Sequence, residues 1–187
     1  MKRKTLIITV ILHALLLILV FIFQGLIFPY IRIAGITPLL LPLVSTGVAI
    51  SQGRLAGGVT GIFAGLLCDL ALNEPVGLFT ILLTFTGLLV GTLADTTVTR
   101  AFMTYFLLSA VVLVLSAFIQ MFPLMYLSGI PAQELMGTAI WQTVYSLLFT
   151  FPIWALIKSI GKRIERSKVT IGAQTVRKAR KVRKARK

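Results

Sequence analysis

The sequence predicts an all-α membrane protein of six transmembrane helices with both termini in the cytoplasm. Three observations carry that prediction. Of the 187 residues 57% are hydrophobic, more apolar surface than a soluble domain of this size can cover. The apolar residues fall in long runs, and about 20 helical residues cross a hydrocarbon core of about 30 Å. The cations behind the net charge of +14 gather at the two termini and at short loops instead of spreading over a surface. That distribution is the positive-inside pattern of a polytopic protein and sets nucleic acid aside as an expected partner.

The first span, Leu6 to Phe28, follows Lys2, Arg3 and Lys4 and ends at Pro29. It is too long for a signal-peptide core and has no small-residue cleavage site, so it is expected to remain as an anchor. The second span covers Ile33 to Ile50. Its Pro38 and Pro42 each remove a backbone donor, so either a start after Pro38 or a bend throughout is compatible with it. The third and fourth spans, Leu55 to Leu72 and Val76 to Ala94, are separated by Asn73-Glu74-Pro75. The fifth, Ala101 to Leu127, ends before Ser128-Gly129-Ile130-Pro131. The sixth runs from Leu135 to Ile157 and leads into Lys158, Lys162 and Arg163. Basic residues at both ends require an even number of crossings. Arg54 and Arg100 then fall inside, and Arg32 stands outside with Glu74, Glu134 and Asp69. The domain division is a transmembrane domain over 1–160 and a polybasic cytoplasmic tail over 161–187.

The third span carries Gly53, Gly57, Gly61, Gly65 and then Asp69, one every fourth position. That spacing drifts only about 40° per step, so the glycines make one bare strip along the helix. A strip without Cβ atoms suits close approach of a neighbouring helix, not lipid. Gly87, Gly91 and Asp95 in the fourth span repeat the spacing of Gly61, Gly65 and Asp69. The flanking residues do not match and the helices run in opposite directions, so coincidence is the expected reading. Asp69 stands at the C-terminal end of its helix, where the macrodipole disfavours negative charge. Two readings stay open: a carboxylate reaching headgroup water, or a partner for Arg32. Pro75 cannot continue the third helix, and Gly77 can open the fourth.

No catalytic or metal centre is expected, and no cofactor. His13 is the single histidine, and such a residue more often satisfies a carbonyl or a neighbouring helix than a metal. Cys68 sits among Leu66 and Leu67, the setting of an inert thiol, and one cysteine excludes an intrachain disulfide. The serines show no nucleophile-elbow pattern, and Gly57-Gly58 is not followed by the Lys-Ser/Thr of a phosphate loop. The tail doubles Val176-Arg-Lys-Ala-Arg-Lys from Val182. Arg177, Lys178, Arg180, Lys181, Arg183 and Lys184 point to anionic lipid, at up to about 1 kcal/mol per cation near the surface. Docking of an acidic cytoplasmic partner or of nucleic acid is the sharper alternative reading of the tail.

The stretch from Gly57-Gly58 through Gly61, Gly65 and Asp69-Leu70, followed by Pro75-Val-Gly77-Leu78, resembles the signature of the bacterial MreD family. The short basic N-terminus, the prolines of the second span and Pro152 before basic residues agree in layout, over roughly residues 1 to 165. The doubled tail is a departure. The resemblance implies a non-enzymatic scaffold of the rod-shape, or elongasome, machinery in the bacterial plasma membrane. It also implies association with the bitopic MreC, and through it with the MreB filament and RodA with its class B transpeptidase. The family fold resembles the substrate-binding components of energy-coupling-factor vitamin transporters, so a solute-binding transporter subunit is the alternative function. Against it, the first span has only Ala14 where an Ala-x-x-x-Ala docking motif is expected. The outer side also offers few polar side chains: Gln24, Asn73, Gln133 and Glu134. A third reading places a lipid headgroup near Asp69.

Overall fold

The computed structural model describes residues 3–28, 30, 36–72, 77–96, 101–128 and 132–162. Every described element is helical. Helix α1 (Arg3–Ile22) runs on through a π turn (Phe23–Ile27), and α2 spans Leu41–Gln52. Helices α3 (Arg54–Leu72), α4 (Leu78–Thr96) and α5 (Phe102–Ser128) follow, then α6 (Ala132–Leu148) and α7 (Thr150–Lys162).

Short α2 is the centre of the bundle. Every residue from Leu41 to Ile50 is buried, the polar Ser45 and Thr46 included, as befits a helix surrounded by others on every side. Helices α3 and α4 pack on each other along their whole length and against α2, while α5 covers another side of α2 and carries α6. Helix α1 and its π turn lie at the edge and leave Ile11, Leu15, Ile18 and Leu26 about half or more exposed. In a membrane such a surface meets lipid without cost.

Among the described residues, four continuous helices are long and apolar enough to cross a membrane, within α1 and its π turn, α3, α4 and α5. A fifth crossing results when α6 and α7, bent by 43°, count as one span. The protein is thus an all-α, multi-pass membrane protein. Of the two readings open for the second span, a start after Pro38 is the one observed: among the described residues its helix begins at Leu41. Two prolines explain the late start. Pro38 has no amide hydrogen to give, and Pro42 fits the first turn of α2, where the donor is not needed. At about 1.5 Å per residue its 12 residues reach about 18 Å, too short to cross alone. The last span is also not one rod. Pro152 cannot donate to the carbonyl of Leu148, and Phe149 N instead bonds Ser146 O at 3.0 Å in a tighter turn.

Candidate helix-packing and capping site

The two glycine rows face each other. A Cβ built on Gly57 would fall 2.5 Å from the carbonyl oxygen of Gly87, and one built on Gly87 would strike the carbonyl oxygen of Gly57. Likewise Gly61 lies against the backbone of Leu83 and Thr84, and Gly65 against that of Phe79 and Thr80. Gly91 completes the contact: its Cβ would stand 2.5 Å from Arg54 Cα. Main chain touches main chain here, which any side chain would forbid. The lipid-facing side of α3 is the opposite one, with Leu55, Val59, Phe63, Leu66 and Leu70 exposed. The repeat of Gly-x-x-x-Gly-x-x-x-Asp, read from sequence as coincidence, is therefore one interface seen from its two sides. Antiparallel pairing explains why the flanking residues need not match.

Each row ends in an aspartate that closes the other helix. Asp69, at the end of α3, is only 1% exposed. Its Oδ1 accepts from the amide of Phe79 at 2.9 Å. Its Oδ2 accepts from the amides of Gly77 at 2.8 Å and Thr80 at 3.3 Å, and from the Thr80 hydroxyl at 2.7 Å. These amides are among the first of α4, which no helical carbonyl can satisfy. Gly77 precedes α4 with φ 114°, a conformation that favours glycine, and glycine has no side chain for capping. Asp69 supplies the missing cap from another helix. The charge that the α3 dipole disfavours is thereby held at the positive end of α4.

The other end repeats the arrangement. Gly53, at φ 87°, precedes α3, and Asp95 Oδ2 accepts from the amide of Arg54 at 3.0 Å. The carboxylate of Asp95 stands where a side chain on Gly53 would be, its Oδ1 2.5 Å from that Cβ position. The two caps are not equal: Asp95 is exposed, whereas Asp69 is sealed and takes three amides and a hydroxyl. The water-facing reading of Asp69 does not fit that burial. Arg32, its suggested partner, and Pro75 lie outside the described residues, as do Asn73, Glu74 and the cations of the tail.

A third helix start is capped in the same manner by a residue the sequence reading passed over as a pocket polar group. Gln24, buried on the π turn, accepts through Oε1 from the amides of Leu40 at 3.0 Å and Leu41 at 3.3 Å, where α2 begins. The non-helical chain before α2 is tied by α6. Ser146 Oγ accepts from Leu39 N at 2.9 Å and donates to Gln142 O at 2.7 Å, and Gln142 Nε2 donates to Thr37 O at 3.1 Å. The Tyr105 hydroxyl donates to Leu43 O at 3.2 Å. Their sequence signal is faint: Gln142 and Ser146 stand four apart, facing a chain whose prolines break its own ladder.

His13 links α1 to α2. Its Nδ1 is 2.6 Å from Thr9 O, and its Nε2 is 2.6 Å from Gln52 Nε2. A carbonyl only accepts, so the proton sits on Nδ1 and the amide of Gln52 donates to Nε2, an assignment made from this network. Among the described residues no three His, Cys, Asp or Glu side chains gather to hold a metal ion, and Cys68 is fully buried.

Fold and site together define a multi-pass α-helical membrane protein whose polar groups close its own helix ends. The chain belongs to the MreD family: the family model described as rod shape-determining protein MreD matches residues 3–160. Neither the curated proteins nor the solved structures compared with the chain give a match. Members of this family are non-enzymatic structural proteins of the inner membrane with a role in rod-shape determination. The family model stops short of the doubled basic tail.

Proposed function

We propose that this chain is a rigid six-crossing scaffold of the elongasome. It would couple an MreC-like bitopic protein, and through it the MreB filament and RodA with its class B transpeptidase, to one membrane site. The observation that carries the reading is the closed interface of α3 and α4, where both Asp carboxylates are spent on the partner helix. Such a pair resists deformation and leaves apolar outer faces for lipid or a partner's helix. The glycines Gly53, Gly57, Gly61, Gly65, Gly87 and Gly91 are its packing residues, and Asp69 and Gly77 its outer turn. The doubled basic tail then lies on anionic lipid at the cytoplasmic surface.

The sixth crossing is supported by length. Residues 36–40 can cover up to about 16 Å of non-helical chain, and α2 adds about 18 Å. Together they match the hydrocarbon core. The transporter alternative gains no support: Gln24, which would line its outer pocket, already serves Leu40 and Leu41. Purification in mild detergent, with identification of what co-purifies, tests the proposal. MreC or MreB supports the scaffold, and an energising ATPase pair overturns it.

A further inference from the structure

Two halves of one broken span are fastened to different parts of this bundle. The α6 half is tied to the chain ahead of α2, through Gln142 to Thr37 O and Leu39 N to Ser146. The α7 half is fastened elsewhere. Ile157, 2% exposed, lies in a notch on α2 made by Gly47, where even a Cβ would strike its Cδ1. The Trp154 ring stacks on Tyr105 of α5, centroids 4.8 Å apart and planes 19° from parallel.

The joint between the halves is thinly hydrogen-bonded, and the ring of Phe149 within it packs on the α6 side, against Tyr145 and Phe28. Pro152 withholds the amide that would reach Leu148 O in a continuous helix. Phe149 N bonds Ser146 O at 3.0 Å, and Ile153 N bonds Phe149 O at 3.2 Å. Thr150, 1% exposed, sits at the joint, and its hydroxyl has no hydrogen-bond partner. A buried hydroxyl left unpaired at a break adds nothing that locks either half to the other.

We infer that the Leu148–Thr150 joint is a hinge. Helix α7, with Lys158 and Lys162 near its end, takes its position from the Gly47 seat, while α6 keeps its own from the clamp on residues 36–40. The hinge makes the end of α7, where the basic tail departs, an adjustable surface on an otherwise rigid bundle. The inference is independent of which partner the scaffold binds.

Spin-label distances in the full chain in nanodiscs test it, with the fully buried Cys68 left in place. One label pair, Leu93→Cys with Ser159→Cys, reports α7 against α4. The other, Leu70→Cys with Met136→Cys, reports α6 against α3. All four positions are exposed. Gly47→Leu fills the seat and is expected to lengthen the first distance by about 2 Å, the spread of interaxial distances between small and large contact residues. The second distance is expected to stay unchanged, and Ile157→Ala added to Gly47→Leu to restore the first in part, since the Tyr105 ring also stands 3.1 Å from the Gly47 Cβ position. Ile157→Ala alone, which removes volume instead of adding it, is expected to broaden the first distribution only. Movement of both pairs together, or of neither, in Gly47→Leu overturns the hinge, as does an unaltered first distribution in Ile157→Ala.

Discussion

The carboxylate of Asp69 lies 2.8 Å from the amide of Gly77, eight residues further along, and closes a helix to which Asp69 does not belong. Asp95 does the same for Arg54 at the other end of the pair. In hydrocarbon no water can satisfy the first amides of a helix. Two glycines at positive φ provide the tight starts, and two aspartates provide the acceptors their missing side chains cannot.

Burial makes the two caps unequal. Asp69→Ala is expected to cost about 1.5–3 kcal/mol, the range for charged hydrogen bonds left unmade. Asp95→Ala, at an exposed rim, is expected to cost about 0.5–1 kcal/mol, the lower part of the range for lost caps. Thermal unfolding in detergent checks the order. Equal losses would show that burial is not what separates the sites.

Filling the glycine rows is expected to force the two backbones apart. Gly61→Leu and Gly65→Leu each meet main chain, and overpacking costs about 1–3 kcal/mol. Gly58→Leu meets the end of the Leu88 side chain, which can move, and is expected to be milder. The same detergent melts compare all three, and a Gly58→Leu loss as large as the others would remove the argument.

Much of this interface is legible in the sequence. Four-residue spacing exposes a bare strip whatever it packs against, so the row from Gly53 to Gly65 stands out. Its partner row was visible too, but a parallel comparison of flanking residues hid it, because antiparallel helices match by position and not by neighbour. Asp69 and Gly77 both stand out in the sequence, yet a bond across a turn has no sequence period to announce it. Pro38 and Pro42 foretold an irregular second span. The break before Pro152 is hidden in the sequence, because an apolar run looks continuous across a single proline.

Gln24 and Ser146 hold neighbouring amides of the same stretch of chain. Gln24→Leu leaves the amides of Leu40 and Leu41 without acceptors, at about 1–3 kcal/mol, and Ser146→Ala does the same for Leu39. A double-mutant cycle is expected to show coupling, since both act on one segment. Strict additivity would mean that the segment is held elsewhere.

Topology follows from the basic ends. A reporter active only in the cytoplasm is expected to work after Lys187 and to be silent at Glu74. The reverse pattern would overturn six crossings.

Amide hydrogen exchange at Phe79 and Thr80 tests the central claim most directly, because it reads the capped donors themselves. In the parent protein both amides are expected to be protected, although they lie in the first turn of α4, where no helical carbonyl reaches them. In Asp69→Ala their exchange is expected to rise sharply, while amides in the middle of α4, at Val90 and Gly91, keep their protection. Unchanged protection at Phe79 and Thr80 in that variant would contradict the account.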